Sequence, residues 1–278
     1  MKLIDGKKIK KEILDELKDE VSKLKEKPNF VVIQVGNNEA SNVYIKQKAK
    51  MAEYIGYGYT HMKLAENISE DDLLKEIDKL NKDKNIHGIL VQMPLPNHID
   101  TNKIQNAVIP EKDVDGLSDM NAGILFHGKD TLYSCTPYGV MELLKRYKIN
   151  VEGKHAVVVG RSNLVGKPMS IMLTNAGATV TLCHSKTKNL EKYTKKADIL
   201  IVTVGKPKII TADMVRRGTV VIDVGINRLD SGLCGDVDFE NVSKKCSYIT
   251  PVPGGVGPMT VAMLGSNVLK AYKNIKNM

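Results

Sequence analysis

The sequence predicts an α/β protein built from two α/β domains, the second of which contains a doubly wound parallel sheet. Its 278 residues suffice for two domains of about 100–200 residues each. Apolar segments of strand length alternate with amphipathic helices along the sequence, which is typical of parallel βαβ units. In the second half these segments are apolar throughout, as expected for strands that helices cover on both faces.

The first half supplies the elements of the first domain. Apolar residues recur at helical spacing over residues 6–27, and Pro28 ends the pattern. "FVVIQV" predicts a buried strand, and helices follow at about residues 40–55 and over "SEDDLLKEIDKLNKD", which Ser69 opens. "HGILVQM" predicts a further strand that ends at "PLP". Residues 110–136 read as a long irregular stretch, and such stretches are usually functional or mark a boundary.

The second half alternates more regularly. Its predicted strands are "KHAVVVG", "ATVTLCH", "ADILIVTVG", "GTVVIDVG" and "SYIT". A final helix is expected to begin inside "ITPVPGGVGPMT", with Pro258 in its first turn. We therefore expect one domain at residues 1–136, a second at 137–261, and a last helix at about 262–278.

Composition excludes several classes of function. Hydrophobic residues make up 42% of the chain and charged residues 26%, which are ordinary globular values. The net charge of +9 comes from 41 Lys+Arg against 32 Asp+Glu, but most lysines alternate with acids, as in "KKEILDELKDEVSKLKEK". With 3 Phe and no Trp, the aromatic content does not favour nucleic-acid binding. A mildly basic surface instead favours small anionic ligands.

Neither a membrane segment nor a metal site is expected. No apolar run approaches the roughly 18 residues of a membrane span, and the N-terminal "MKLIDGKKIKKEILDEL" is charged from the start, which predicts a cytosolic location. The six histidines form no cluster at metal-ligand spacing. The cysteines form no CxxC pair and are expected to be reduced and buried; they are Cys135, Cys183, Cys234 and Cys246.

A dinucleotide site is indicated by "VVVGRSNLVGKPMSIML", which runs from a strand through a glycine turn into a helix. In the Rossmann pattern such glycines allow a tight turn and bring a helix N-terminus close to a pyrophosphate. Here Gly160 and Gly166 are separated by five residues, and Ser162 replaces the middle glycine. A plain strand-to-helix turn is the open alternative.

The expected dinucleotide is NADP. In NAD-binding proteins an acid at the end of the next strand binds the ribose hydroxyls, but "VTLCHSKT" ends on Ser185 and Lys186. Arg161 is expected at the same edge of the sheet. A cation and a hydroxyl therefore replace the carboxylate of NAD-binding proteins, which would repel the 2′-phosphate of NADP. Gly205 and Ile226, at the later strand ends "VTVG" and "DVGIN", could line the nicotinamide. The alternative is that the glycines in these two stretches only end strands.

One lysine falls on the inward stripe of the second helix. That stripe comprises Tyr44, Lys48, Met51 and Ile55. Lysines are almost never buried without a reason. Lys48 either extends along the edge of the core or acts in proton transfer, since partial desolvation lowers the pKa of a lysine and makes a neutral amine available.

Two other stretches could meet Lys48. "VQMPLP" places Gln92 at the end of an apolar strand, where an amide needs a partner or a ligand. "EKDVDGLS" supplies Asp113 and Asp115, and an aspartate that accepts two N–H donors can bind an amidine-like ring edge. Turn formation beside Gly116 is the alternative role of these two aspartates.

Seven ordered motifs resemble the methylenetetrahydrofolate dehydrogenase/cyclohydrolase family along essentially the whole chain. They are YxxxK at 44–48, "VQMPLP", "KDVDG", "GRSNLVGKP", "CHSKT", "DVGIN" and "PVPGGVGPMT". The resemblance implies NADP-dependent oxidation of methylene-tetrahydrofolate to the methenyl cation and hydrolysis of that cation to formyl-tetrahydrofolate, in one-carbon metabolism. It also implies a homodimer, an active-site cleft between two domains, and a last helix that packs on the N-terminal domain.

The resemblance assigns roles to individual residues. Lys48 matches the catalytic lysine, Tyr44 the active-site tyrosine, Gln92 the glutamine that tunes the lysine, and Asp115 the aspartate that holds the pterin ring. The matched cofactor positions are Gly160, Arg161, Ser162, Ser185 and Ile226, with Arg161 and Ser185 at the 2′-phosphate. The matched folate-binding loop is Pro253, Gly254, Gly255, Val256 and Gly257.

Three alternatives stay open at the level of sequence. One is a monofunctional dehydrogenase of the same family, and another is a different two-domain Rossmann dehydrogenase. The last is a nucleotide-sensing or nucleic-acid-binding module without enzymatic activity.

The glycines of the matched folate-binding loop are expected to let backbone lie against a flat ligand. Gly255→Val is therefore expected to weaken folate binding with little loss of fold stability.

Overall fold

The computed structural model of the chain describes residues 1–230 and 232–278. Two compact units divide it: unit 1 comprises Met1–Lys11 and Thr136–Thr260, and unit 2 comprises Glu12–Cys135 and Val261–Met278. The mixed α/β class predicted from the sequence is confirmed.

The helices and strands follow one another in a largely alternating order. Up to residue 126 they are β1 (Lys2–Leu3), α1 (Gly6–Ser22), β2 (Asn29–Val35), α2 (Glu39–Ile55), β3 (Gly58–Leu64), α3 (Glu70–Lys82), β4 (Gly88–Val91), α4 (Thr101–Ala107) and α5 (Asp119–Phe126). From residue 135 they are α6 (Cys135–Arg146), β5 (His155–Val159), α7 (Gly166–Asn175), β6 (Thr179–Cys183), α8 (Glu191–Thr194), β7 (Ile199–Val202), β8 (Val220–Asp223), β9 (Asn227–Leu229), β10 (Gly232–Cys234), α9 (Phe239–Val242), β11 (Tyr248–Ile249) and α10 (Val256–Lys276).

Unit 2 contains a parallel sheet in the order β3-β2-β4. The central strand β2 is buried along nearly its whole length, which suits its run of β-branched residues. Leu73 and Ile77 of α3 join the same core. The segment that follows α4 runs beside β4, because Asp113 forms a parallel bridge with Ile89. This register brings the polar residues after β4 and after Asp113 to the same edge of the sheet.

Two elements of unit 2 differ from the prediction. Strand β3 is not evident from the sequence, because it lies at the edge of the sheet and several of its residues face solvent. Residues 110–136 are not structureless, since they contain a short 3-10 turn at Pro110–Lys112 and the helix α5. Helix α6 begins at Cys135, two residues before the expected start of the second domain at residue 137.

Unit 1 contains a sheet in which the described residues form six strands in the order β1-β11-β8-β7-β5-β6. All of its pairings are parallel. The chain leaves β5 toward β6 on one side and continues through β7 on the other, so β5 and β7 flank a topological switch point. Ligands of open α/β sheets bind at the carboxyl ends of the strands at such a point.

The N-terminal residues belong to unit 1, whereas the sequence places them in a first domain of residues 1–136. The physical reason is strand pairing, because Lys2 and Leu3 of β1 pair with Tyr248 and Ile249 of β11. The N–H group of Gly6 then donates to the Gly254 carbonyl at 3.0 Å. All three unit boundaries fall inside helices, namely α1, α6 and α10.

Residues 1–230 and 232–278 contain no helix that is long and apolar enough to cross a bilayer. Over the same ranges, no three His, Cys, Asp or Glu side chains gather as a metal site would require. All of the cysteines are free thiols; Cys135, Cys183 and Cys246 are buried as predicted, whereas Cys234 is only partly buried.

Candidate active site

Lys48 lies on the buried face of α2. The Asn38 side chain caps this helix by accepting from the Ser41 N–H at 3.1 Å. Lys48 is 9% exposed, and Met51 and Ile55 on the following turns are 2% exposed, which confirms most of the predicted stripe. Tyr44 differs, because it is 44% exposed and therefore lies at the border of the buried face.

The Lys48 ammonium group is held by the side chain of Gln92, which follows the last residue of β4. Lys48 Nζ donates to Gln92 Oε1 at 2.8 Å. Gln92 Nε2 donates to the Met93 carbonyl at 2.8 Å, and this bond turns the amide oxygen toward the lysine. The Ser41 hydroxyl donates to the same carbonyl at 3.0 Å. The start of α2 and the end of β4 therefore fix the partner of Lys48 together.

The two predicted aspartates have different surroundings. Asp113 is 5% exposed, and its carboxylate accepts from the N–H groups of Gly116 at 3.0 Å and Ser118 at 2.8 Å. The Asn121 amide donates to it as well, at 3.0 Å. Asp113 thus has the turn-forming role that the sequence left open. The Asp115 carboxylate instead interacts with Lys48 and with the Cys135 thiol.

Two residues beside Asp115 are not apparent from the sequence. The Cys135 thiol donates to the Val114 carbonyl at 3.5 Å. The Asn267 amide of α10, which is fully buried, donates to the carbonyls of Val114 at 2.9 Å and Tyr133 at 2.8 Å. Asn267 thereby holds both backbone segments next to Asp115. A polar residue on the apolar face of the last helix is the feature that could have revealed it.

Burial dominates the acid–base properties of this group. It lowers the pKa of Lys48, and the nearby Asp115 and Cys135 oppose that change. It raises the pKa of Asp115, against the opposing attraction of Lys48. It raises the pKa of the Cys135 thiol well above its usual value, and Asp115 adds to this change. Unit 2 therefore carries an amine that can lose its proton more readily than an exposed lysine.

The predicted dinucleotide turn in unit 1 lies at the topological switch point. Gly160 follows β5 with a φ of 121°, a conformation that favours glycine. A Cβ at Gly160 would lie 2.1 Å from the Thr203 carbonyl oxygen after β7, and one at Gly166 would lie 2.0 Å from the Gly160 carbonyl oxygen. Both glycines are therefore required for the strands and α7 to approach one another, which is the packing of a dinucleotide-binding turn.

Ser162 stabilises the beginning of α7. Its hydroxyl accepts from the N–H groups of Val165 at 3.2 Å and Gly166 at 3.4 Å, and its carbonyl accepts from the Lys167 N–H at 3.0 Å. The first N–H groups of this helix are thus occupied by Ser162, whereas the glycine pattern suggests that they face a pyrophosphate.

Arg161 and Ser185 follow the neighbouring strands β5 and β6 at the same edge of the sheet. Both residues are exposed. None of the ion pairs found in residues 1–230 and 232–278 involves Arg161. A guanidinium and a hydroxyl at adjacent strand ends are groups that can bind a phosphate. Ile226, which follows β8, is 48% exposed.

The loop "PVPGGVG" contains glycines with different roles. Gly254 has a φ of 107°, and its carbonyl accepts from the N–H groups of Gly6 and Lys7. Gly255 is buried, and a Cβ there would lie 2.6 Å from the Pro251 carbonyl oxygen. The expectation that Gly255→Val spares the fold is wrong, because the loop backbone leaves no room for a side chain. A Cβ at Gly257 would meet only the Ile226 side chain, at 3.3 Å.

The predicted site residues therefore form two groups. In unit 2 the structure brings together Lys48, Gln92 and Asp115, with Tyr44 at the border. In unit 1 it brings Gly160, Arg161 and Ser162 to the strand edge that also bears Ser185, and it places Ile226 next to Gly257 of the loop.

Sequence models of a single family match both halves of the chain. The tetrahydrofolate dehydrogenase/cyclohydrolase catalytic domain matches residues 4–115, and the NAD(P)-binding domain of the same name matches residues 134–276. The chain is 56% identical over 279 aligned residues to the bifunctional protein FolD of Nautilia profundicola, covering 99% of this chain and 98% of that protein.

Solved structures agree with these matches. The crystal structure of the bifunctional methylenetetrahydrofolate dehydrogenase/cyclohydrolase FolD from Campylobacter jejuni superposes with a TM-score of 0.97 at 52% identity, over 99% of both chains. The Trypanosoma brucei dehydrogenase-cyclohydrolase, solved with NADP and an inhibitor, superposes with a TM-score of 0.94 at 35% identity, over 99% of this chain and 98% of the other. The chain belongs to the tetrahydrofolate dehydrogenase/cyclohydrolase family.

Proposed function

We propose that this protein oxidises methylene-tetrahydrofolate to methenyl-tetrahydrofolate with NADP and hydrolyses the product to formyl-tetrahydrofolate. The observation that carries the proposal is the buried Lys48 ammonium group, held by Gln92 Oε1 at 2.8 Å and flanked by Asp115. The bifunctional relatives and their NADP complex support the same pair of reactions. Unit 2 would supply the acid–base chemistry and unit 1 the cofactor site.

The hydrolysis needs a group that accepts and returns a proton at the substrate. Burial lowers the pKa of Lys48, so a larger fraction of its amine is neutral near neutral pH than for an exposed lysine. Gln92 accepts one N–H of the ammonium group and thereby orients it. Attack of water on the methenyl carbon releases a proton that Lys48 can take up and return to the ring nitrogen as the C–N bond breaks.

Substrate orientation is assigned to the remaining positions of unit 2 that match the family motifs and to the glycine loop. Asp115 would accept two N–H donors from the pterin ring, an arrangement that fits a carboxylate free of turn bonds. Tyr44 has an exposed ring that can contact substrate. Pro253 to Gly257 are proposed to contact the folate, and the bonds from Gly6 and Lys7 to the Gly254 carbonyl hold this loop in place in advance.

The oxidation needs positioning rather than proton transfer. When bound, NADP would accept the hydride from the methylene carbon. Gly160 gives the turn a backbone surface without a side chain, and Ser162 fixes the start of α7. Arg161 and Ser185 are proposed to bind the 2′-phosphate, and Ile226 to contact the nicotinamide. Because hydrolysis needs no nucleotide and oxidation does, the two activities of the chain can be measured separately.

A direct assay tests the proposal. Methylene-tetrahydrofolate is added with NADP or NAD, and nicotinamide absorbance is followed; methenyl-tetrahydrofolate is then supplied without nucleotide, and the loss of its absorbance is followed. We expect both reactions, with NADP preferred. Oxidation without hydrolysis would identify a monofunctional dehydrogenase, and the absence of both reactions would contradict the proposal.

The assembly and location stay part of this proposal. A homodimer is expected from the family resemblance, and sedimentation equilibrium of the purified protein would measure its mass against that of the 30.7 kDa chain. The cytosolic location stays a prediction from the sequence.

A further inference from the structure

Two buried carboxylates lie at the strand edge of unit 1 that carries the proposed cofactor site. Asp223 is the last residue of β8, and Asp236 follows the β9–β10 hairpin. Their exposed fractions are 3% and 0%. Neither residue belongs to the proposed site. Burial of two acids beside each other is costly unless hydrogen bonds compensate for the lost water, so their partners define their role.

Asp236 binds the turn that follows β7. Its carboxylate accepts from three consecutive N–H groups, those of Val204 at 2.6 Å, Gly205 at 2.9 Å and Lys206 at 2.9 Å. It also accepts from the side-chain amide of Asn227 at 2.9 Å. One carboxylate therefore joins the turn after β7 to the residue that follows Ile226.

Asp223 closes the same arrangement from the other side. Its carboxylate accepts from the N–H groups of Gly225 at 3.0 Å, Asp236 at 3.0 Å and Val237 at 2.9 Å. Its own N–H donates to the Thr250 hydroxyl at 2.7 Å. The strand end, the turn after it and the segment carrying Asp236 are thus tied to one another.

Two glycines make room for these carboxylates. A Cβ at Gly225 would lie 2.1 Å from Asp236 Cγ, and a Cβ at Gly235 would lie 1.9 Å from Asp223 Oδ2. The glycines of "DVGIN" and "LCGDVD" are therefore explained by the acids they accommodate. The backbone is shaped around the carboxylates, and the carboxylates in turn hold the backbone.

The bound turns border the topological switch point. The Thr203 carbonyl oxygen lies where it would clash with a side chain at Gly160. Thr203 immediately precedes the turn that Asp236 binds. Ile226 lies between Gly225, which donates to Asp223, and Asn227, which donates to Asp236. Both flanks of this exposed side chain are therefore fixed by buried acids.

We propose that Asp223 and Asp236 are positioning residues that fix the turns after β7 and β8 and so hold Ile226 in place at the nicotinamide end of the cofactor site. This inference rests on the proposed function. According to this inference, oxidation requires the two aspartates of unit 1 and hydrolysis does not. The residues proposed to transfer protons during hydrolysis all lie in unit 2.

The test compares Asp236→Asn and Asp223→Asn with Asp198→Asn. Asn keeps the shape of the side chain but turns an N–H₂ group toward N–H donors. Asp198 is the matched control, because it accepts from the His155 N–H at 2.9 Å in the same sheet and precedes β7 rather than following a strand end. For each variant, the KM for NADP, the NADPH dissociation constant from fluorescence and the nucleotide-free hydrolysis of methenyl-tetrahydrofolate are measured.

We expect the KM for NADP and the NADPH dissociation constant to rise about tenfold in both carboxylate variants. Hydrolysis should stay within about twofold of the unchanged protein, as should all constants of Asp198→Asn. An unchanged KM for NADP, or an equal loss of hydrolysis, would overturn the inference. Failure of the unchanged protein to use NADP would instead contradict the proposed function.

A milder variant covers the case in which both substitutions prevent folding. Asn227→Ala removes a single donor to Asp236 and leaves its three N–H bonds in place. We expect a rise of about threefold in the KM for NADP, again with hydrolysis retained. An unchanged KM in a folded Asn227→Ala protein would contradict the positioning role.

Discussion

Asp113 and Asp115 show how two identical side chains, two residues apart, separate into structure and chemistry. Asp113 accepts three hydrogen bonds that close the turn before α5. Asp115 instead faces Lys48 and Cys135. Sequence spacing could not distinguish them, because both closely precede Gly116 in a segment without periodicity.

Isosteric substitutions should separate the two roles. Asp113→Asn turns an N–H₂ group toward the Ser118 and Asn121 donors, and we expect it to lower the free energy of unfolding by about 2–3 kcal/mol. Asp115→Asn removes a partly buried charge without breaking the turn, so the free energy of unfolding should change by less than about 1 kcal/mol while folate turnover is lost. Chemical denaturation and the two activity assays measure this. Equal destabilisation by both variants would contradict the division.

Arg161 is the residue proposed to select the nucleotide. Arg161→Ala removes the cation assigned to the 2′-phosphate, and its exposure means that the fold should be unaffected. We expect the KM for NADP to rise by a factor of about 10 to 100, while the KM for NAD changes little. Arg217→Ala, also an exposed arginine of unit 1, is the control. An equal rise for both nucleotides would show that Arg161 does not read the phosphate.

At the scale of elements, the loop "PVPGGVG" changes its interpretation. The sequence suggests that its glycines clear a surface for a flat ligand. In the structure Gly255 is needed for the loop to fold on itself, since its Cβ position lies 2.6 Å from a backbone oxygen, whereas the Gly257 position meets only the end of the Ile226 side chain. The surface proposed for folate is therefore formed by backbone whose shape depends on Gly255.

A pair of alanine variants tests this account of the loop. Gly255→Ala forces the backbone apart, and we expect it to destabilise the fold by about 1–3 kcal/mol. Gly257→Ala adds a methyl group within α10 that the flexible end of Ile226 can accommodate. The midpoint temperature of thermal unfolding should therefore be unchanged or slightly higher. Thermal denaturation of both variants decides the matter. A stable Gly255→Ala protein with lost folate binding would restore the original interpretation.

Most strands were predictable, and the exceptions have physical reasons. The buried strands β2, β4, β5, β7 and β8 are apolar and end at glycine, proline or polar residues. Strand β3 escaped detection because an edge strand needs apolar residues on one face only. Helix α5 escaped because its apolar residues are spread around the helix instead of forming one face.

At the scale of the whole molecule, the chain does not divide at one point. The sequence suggests a boundary near residue 137, but β1 pairs with β11, so Met1–Lys11 belongs to unit 1. The last helix contributes to unit 2, where the Tyr57 hydroxyl donates to the Gly265 carbonyl at 2.9 Å. Pairings between residues so far apart along the chain leave no local pattern, which is why periodicity alone could not reveal them.

The candidate site was predictable in its chemistry but not in its support. Lys48 and Gln92 stood out because each is polar where apolar residues were expected, and the family resemblance singled out Asp115. Asp223 and Asp236 did not, since most of their partners are backbone groups that only the fold brings to them. Residues that act on ligands are visible as exceptions to a pattern, whereas residues that hold those exceptions in place require the structure.

The central claim is that Lys48 carries the proton transfer of hydrolysis while oxidation depends on positioning. Lys48→Met keeps the length of the side chain and removes the amine, and Lys50→Met, two residues later on the exposed face of α2, is the matched control. Hydrolysis of methenyl-tetrahydrofolate and NADP-dependent oxidation of methylene-tetrahydrofolate are measured on the same preparations. We predict that Lys48→Met lowers hydrolysis by a factor of about 100 or more and leaves measurable oxidation, with Lys50→Met unchanged in both. An equal loss of the two activities in Lys48→Met would contradict the account.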